Sequence, residues 1–178
     1  SYAHAKHAVD LLPCPVLLNG NISTATVAHK EVIKSGAYGA MIGRAAIRNP
    51  WIFRQIRQMQ ANEKVFRPKL EDVYIYVEEL YEEFSDSQVP EAKQVARMKK
   101  FLNFVGLGVD ARGEFLHQMR RSRTKDELFS ICSKFMCEEG RGATPFNEQF
   151  PPVVNRAPSS AFSSSSSSCS SEFDFPSS

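Results

Sequence analysis

The spacing of apolar positions changes character twice along the chain. Ala3 to Leu12 reads as the end of a helix stopped by Pro13 and Pro15, after which Val16, Leu17 and Leu18 form a continuous apolar run closed by Asn19 and Gly20. Such a run predicts a strand buried on both faces. Ser23 or Thr24 can cap a helix reaching about Ser35, with Ala25, Ala28 and Val32 on one face, Val27 off it, and Gly36 as the stop. Ala40, Met41 and Ile42 repeat the apolar run and end at Gly43. Strand, helix and strand within about 30 residues have the size of a parallel βαβ unit. Two such strands do not make a stable sheet alone. Asn49 and Pro50 then open a helix from Trp51 to about Gln60, with proline at a tolerated first-turn position.

From Pro68 onward the period is helical. Val73, Val77, Leu80 and Phe84 mark one amphipathic helix, Val95, Met98, Leu102 and Val105 a second, and Leu128, Ile131, Cys132 and Phe135 a later one. Gly106 and Gly108 are expected to end the second, ahead of a helix from Ala111 to Arg121, and Thr124 with Glu127 forms a capping box for the last. The pattern predicts a small helical bundle over about residues 69–137. Beyond Gly140 come prolines and a serine run, Ser163 to Ser168, too poor in apolar side chains to offset ordering entropy, so a disordered tail is expected over 141–178. No internal repeat is evident.

Composition narrows the class. Of the 178 residues 42% are hydrophobic and 24% charged, as in globular proteins, and no apolar run approaches the ~20 residues that cross a bilayer, so no membrane role is expected. Cys14, Cys132, Cys137 and Cys169 have neither metal-ligand spacing nor the density of a disulfide scaffold. They suit a reducing compartment, cytoplasmic or organellar, and no metal site is expected. Ser1 shows no initiator Met and no targeting pattern, so the chain reads as internal to a longer protein. The net charge of +2 is uninformative, but Arg97, Lys99, Lys100, Arg112, Arg120, Arg121, Arg123 and Lys125 face only Asp110 and Glu114 in the same stretch.

Two turns carry candidate chemistry. Asn19-Gly20-Asn21-Ile22 follows a strand and precedes a helix, so its backbone N–H groups can point at one anion. Gly43-Arg44 repeats the arrangement one strand later and adds a guanidinium suited to bidentate phosphate contact. Taken alone, Asn-Gly is an ordinary turn and Arg44 a solvated residue or helix cap. Neither has the spacing of a Rossmann or Walker loop.

Taken together, Val16-Leu17-Leu18-Asn19-Gly20-Asn21-Ile22, then Gly36-Ala37-Tyr38-Gly39-Ala40-Met41-Ile42-Gly43-Arg44-Ala45-Ala46, then Asn49-Pro50-Trp51-Ile52-Phe53 resembles the end of the catalytic barrel in the tRNA-dihydrouridine synthase family. The resemblance covers about residues 3–137. It implies an α/β fold: the C-terminal strands and helices of an incomplete (β/α)8 TIM barrel over 1–62, an all-α tRNA-binding domain over 63–140, and the tail. It further implies FMN, with NADPH as reductant, acting on uridine in tRNA to give 5,6-dihydrouridine. Asn19, Gly20 and Asn21 match one FMN phosphate-binding turn, and Gly43 and Arg44 the other. Asn21 departs from the family, which often has an acidic residue there, leaving only the backbone N–H role.

The family continues into a helical domain that helps hold tRNA. Here Lys93, Arg97 and Lys100 fall on one helical stripe opposite Val95, Met98, Leu102 and Val105, and Arg120, Arg121 and Arg123 follow as further candidate RNA contacts. Phe101 replaces a His common in the family, and Phe104 keeps one aromatic. A solvated bundle face explains the charges equally well.

The family's general-acid Cys, in an Asn-x-x-Gly-Cys-Pro setting, has no match here, so no catalytic residue is assigned. Cys14, between prolines ahead of a strand, reads as a small buried apolar residue. Its Lys and His-x-Arg contacts to flavin and substrate are expected upstream. The expected whole is therefore a monomeric enzyme to which this chain contributes the phosphate site and RNA-facing helices. The alternatives are a noncatalytic RNA-binding module and another FMN-dependent barrel oxidoreductase acting on a small molecule.

Overall fold

Thr24, rather than Ser23, takes the cap of the helix that follows the first strand. Its side-chain oxygen accepts from the Val27 N–H at 3.2 Å. The computed structural model describes residues 2–148, and its first half runs α1 (Tyr2–Leu11), β1 (Leu17–Asn19), α2 (Ala25–Ser35), β2 (Gly39–Met41), α3 (Arg44–Arg48) and α4 (Ile52–Gln60). β1 and β2 pair in parallel, with Leu17 opposite Gly39, Leu18 opposite Ala40 and Asn19 opposite Met41. This is a mostly helical α/β chain with a small two-stranded sheet.

The expectation that the first strand is buried on both faces is not met. Leu18 is 1% exposed, packed with Ile22, Ala28 and Ala37, whereas Leu17 is 59% and Met41 49% exposed. Side chains alternate across a strand, and among the described residues only the face under α1 and α2 is covered. Cys14, expected buried, is exposed, because it lies in the bend between α1 and β1 where neither element covers it.

The second half comprises α5 (Leu70–Phe84), α6 (Glu91–Val109), α7 (Glu114–Arg121) and α8 (Lys125–Met136), followed by irregular 3-10 turns over Glu138–Ala143. These helices close on one core that contains Val73, Val77, Met98, Leu102, Phe115 and Leu128. Each is at most 1% exposed. At α8 Thr124 accepts from the Glu127 N–H at 3.2 Å, and the Glu127 carboxylate in turn accepts backbone N–H groups of Arg123 and Thr124, which hold its pKa down.

Three features of this half depart from the sequence pattern. α6 does not end at its glycines but runs through Gly106 and Gly108 to Val109. Both are buried contact points: a Cβ on Gly106 would strike the Leu116 side chain, and one on Gly108 would come within 2.6 Å of the Asn147 carbonyl oxygen. α7 starts at Glu114 rather than Ala111, because Asp110 captures its first turn, accepting from the Glu114 N–H at 2.7 Å and the Phe115 N–H at 3.2 Å. Residues 141–148, grouped with the tail by composition, instead cross the helices. Lys69 and Pro145 form an isolated antiparallel bridge, Phe146 is 5% exposed, and the Asn147 N–H donates to the Gly108 carbonyl at 3.2 Å. The remainder of the expected tail, with Ser163 to Ser168 and Cys169, lies outside the described residues.

A buried polar junction joins the halves. Asn49, 2% exposed, donates through Nδ2 to Gln55 Oε1 at 2.9 Å, and Gln55 Nε2 donates to the Phe66 carbonyl at 3.0 Å and to Glu148 Oε1 at 2.8 Å. Beside it Trp51 packs edge-on against Tyr76, with ring centroids 6.0 Å apart, and lies 5.9 Å from Phe66. The Asn-Pro-Trp sequence thus fastens α4 to α5. Among the described residues, no helix is long and apolar enough to cross a membrane.

Asp110 supplies a stability test. Burial works to raise its pKa, but the N–H groups of Arg112, Phe115 and Glu114 outweigh it and hold the carboxyl below its ordinary 3.8. A depressed folded pKa contributes stability that is present above the unfolded value and lost as pH falls through the folded one. Asp110→Asn is therefore expected to cost about 0.5–1 kcal/mol at neutral pH. The gap from the parent should close below the ordinary carboxylate range in urea titrations run across pH.

Candidate functional site

Both candidate turns sit at the C-terminal ends of the parallel strands, and they open on the same space. Asn19, Gly20 and Asn21 from the first and Gly43 and Arg44 from the second line a single cavity of about 230 Å³, together with Met41 and Arg48. The turn after β1 is shaped by its backbone: Gly20 has φ +136 and Asn21 φ +46. A Cβ at Gly20 would meet nothing, so glycine is required there by conformation and not by space. The Tyr2 hydroxyl donates to the Gly20 carbonyl at 2.8 Å, pinning the turn from α1. Burial, then Glu31, raises the Tyr2 pKa, which keeps that donor protonated.

Gly43 is the cap of α3, a five-residue helix that the sequence pattern read as a turn. Its period brings two guanidiniums, Arg44 and Arg48, to the cavity from one helical turn. Arg44 is exposed, whereas Arg48 is 8% exposed and donates through Nε to the Phe104 carbonyl of α6 at 3.3 Å. Burial, then the charge of Arg44, lowers the Arg48 pKa. Sequence reasoning missed both Arg48 and Tyr2. Arg48 carried a faint signal, lying four residues after Arg44. Tyr2 carried none, since its partner is 18 residues away.

None of the described residues lining this cavity is acidic. Strand-end turns beside two cations have the chemistry that suits a compact anion such as a phosphate monoester. The donor set fits the phosphate end of a flavin mononucleotide.

On α6, Lys93, Arg97 and Lys100 are all exposed and line one cleft with Phe101 and Phe104. Arg120, Arg121 and Arg123 are exposed at the end of α7 and its exit, and none lines that cleft. Arg120 donates to the Asn103 side chain at 2.8 Å. Lys99, part of the same basic stretch, donates to the Arg120 and Ser122 carbonyls and so serves the C-terminus of α7. Burial pushes the Cys132 thiol up to about 12 and also raises that of Cys137. No group of three or more His, Cys, Asp and Glu able to hold a metal occurs among the described residues.

The family model described as dihydrouridine synthase matches residues 2–133. The chain belongs to the dihydrouridine synthase family. A "Probable tRNA-dihydrouridine synthase" of Rickettsia conorii is 31% identical over 102 residues, 57% of this chain and 30% of that protein. A "tRNA-dihydrouridine synthase B" of Pseudomonas putida is 38% identical over 69 residues, 38% of this chain and 20% of its own length. A Cryptococcus neoformans "tRNA-dihydrouridine(47) synthase [NAD(P)(+)]" is 37% identical over 49 residues, 28% of this chain and 7% of its own. The chain spans about a third of the length of the first curated relatives it matches. The match to the dihydrouridine synthase model includes both strand-end turns and the basic face of α6.

Titrating inorganic phosphate into the labelled chain is expected to shift the amide resonances of Gly20, Asn21 and Arg44 together. Gly20→Ala, strained by about 1 kcal/mol or more at that φ, should abolish the joint shift, and Arg44→Ala should weaken it about tenfold.

Proposed function

We propose that this chain supplies, within a monomeric tRNA-dihydrouridine synthase, the phosphate end of the FMN site and a set of RNA-facing helices. The observation that carries this reading is the convergence of two adjacent strand-end turns and two arginines on one small cavity free of acidic lining among the described residues. Ligands in parallel α/β sheets bind outside the carboxyl ends of the strands, and in (β/α)8 barrels a phosphate is often held by the last two. The open sheet face, with Leu17 and Met41 exposed, is what two neighbouring strands present toward a barrel interior.

On this reading Asn19, Gly20, Asn21, Gly43 and Arg44, with Arg48, hold the FMN phosphate. The flavin, reduced by NADPH, would supply the hydride that converts uridine in tRNA to 5,6-dihydrouridine. The residues of this chain anchor and orient the cofactor. No proton donor to the ring is assigned among the described cysteines: Cys14 stands ahead of β1, away from the strand ends, Cys132 is buried, and Cys137 follows α8. Lys93, Arg97 and Lys100 face tRNA phosphates, with Arg120, Arg121 and Arg123 as a further basic patch.

Two measurements test the proposal. The purified 178-residue chain is expected to carry little or no FMN by absorbance and to reduce no uridine, because one phosphate end without the rest of a pocket does not retain a flavin. Stoichiometric FMN would contradict that. It is also expected to bind tRNA with strong salt dependence, and replacing Lys93, Arg97 and Lys100 by Ala should reduce the slope of log K against log salt by about 2–3. No tRNA binding at low salt would overturn the RNA-facing assignment.

A further inference from the structure

The cleft that holds the three cations of α6 is not a flat charged surface. It is an open cleft of about 620 Å³. Ile47 of α3 lines it together with Ala96, Phe101 and Phe104 of α6. Lys93, Arg97 and Lys100 stand around it, and no acidic residue lines it among those described. Both phenylalanines are only half-buried. Phe101 continues an aromatic ladder, with its ring 6.0 Å from that of Phe84 at an interplanar angle of 30°, and the Arg97 guanidinium covers the other ring at 4.8 Å.

A solvated helix face needs no half-buried rings among its cations, and a site for phosphates alone needs no aromatic rings. Partly exposed rings bordered by cations suit an unpaired nucleotide, whose base stacks while its flanking phosphates meet the charges. The location adds a second argument. α3 separates this cleft from the anion cavity: Ile47 faces one, Arg44 and Arg48 face the other, and Arg48 is bonded to the carbonyl of Phe104.

We propose that the α3–α6 cleft binds one unpaired nucleotide of the RNA substrate, with its base against Phe101 and Phe104 and its phosphates on Lys93, Arg97 and Lys100. This rests on the RNA-facing reading above and specifies what that face takes. The cleft would then seize the RNA by an unstacked base beside the cofactor site, without selecting sequence, because each base offers a π-face.

The test compares a short single-stranded oligouridine with its abasic counterpart, which carries the same phosphates and no bases, by fluorescence anisotropy on the full chain. The chain is expected to bind the oligouridine about tenfold more tightly. Ala96→Leu, which fills the cleft from an exposed helix position without entering the core, and Phe101→Leu, which keeps an apolar side chain but removes the ring, should each erase that difference. Binding of the abasic strand should be unchanged in both. Circular dichroism of the Ala96→Leu chain checks that it folds. Equal affinity of the parent for the two strands, the result expected if a protein segment covers the cleft, overturns this proposal and leaves the RNA-facing reading intact. A preference that survives both substitutions places base contact elsewhere and also overturns it. Failure to bind either strand or tRNA sinks the underlying reading itself.

Discussion

The arrangement depends on one buried amide. Gln55 is 1% exposed and meets segments that are far apart in sequence: Asn49 before α4, the Phe66 carbonyl ahead of α5, and Glu148 at the far end of the described chain. A buried donor left without a partner costs about 1–3 kcal/mol, so these bonds constrain where the segments can lie. They fix α4 and the chain just before it against the helical core, and α3 ends at Asn49. The direction in which Arg44 and Arg48 point is therefore set by a polar contact that touches neither. Glu148 completes the junction at some cost: burial raises its pKa, and Gln55 and Arg67 pull it back only in part.

The two halves satisfy their backbones differently. α5 to α8 surround a core of their own, with aromatic, aliphatic and methionine side chains closing every inward face. The α/β half has two strands of three residues each, covered on one side. A short parallel pair with one open face gains little from pairing alone, and α1 and α2 supply most of what covers it. The candidate anion cavity sits at the rim of this less self-sufficient half, braced by Tyr2 from one side and by α3 against α6 from the other.

Local signals in the sequence proved readable where a single side chain settles the matter. Thr24 and Thr124 cap their helices, Gly36 stops α2, and Asn49-Pro50 precedes α4. The two turns at the cavity were also legible, because strand ends and glycines are marked in sequence. What was missed depends on partners remote in the chain. Gly106 and Gly108 looked like helix stops, yet they persist inside α6 because Leu116 and Phe146 need their missing side chains. Residues 141–148 have a tail-like composition, and their docking through Pro145, Phe146, Asn147 and Glu148 depends on partners far off in the chain. Arg48 resembles any helix-terminal cation until the Phe104 carbonyl is seen to hold it inside.

That bond also bears on what the cavity prefers. Two guanidiniums one helical turn apart repel, and the charge of Arg44 adds to burial in lowering the Arg48 pKa. Arg48 cannot relieve the repulsion by swinging out, because its Nε is tied to α6 and its side chain is enclosed. Arginine remains protonated under such a shift, so the strain is expressed as an elevated potential in the cavity rather than as loss of a proton. A dianionic phosphate there would gain from both charges and cancel their mutual repulsion, whereas a neutral ligand would do neither. On the proposed reading, the Arg48–Phe104 contact would favour an anion by confining a charge that would otherwise be solvated. It would do so through the helix that also carries the basic cleft.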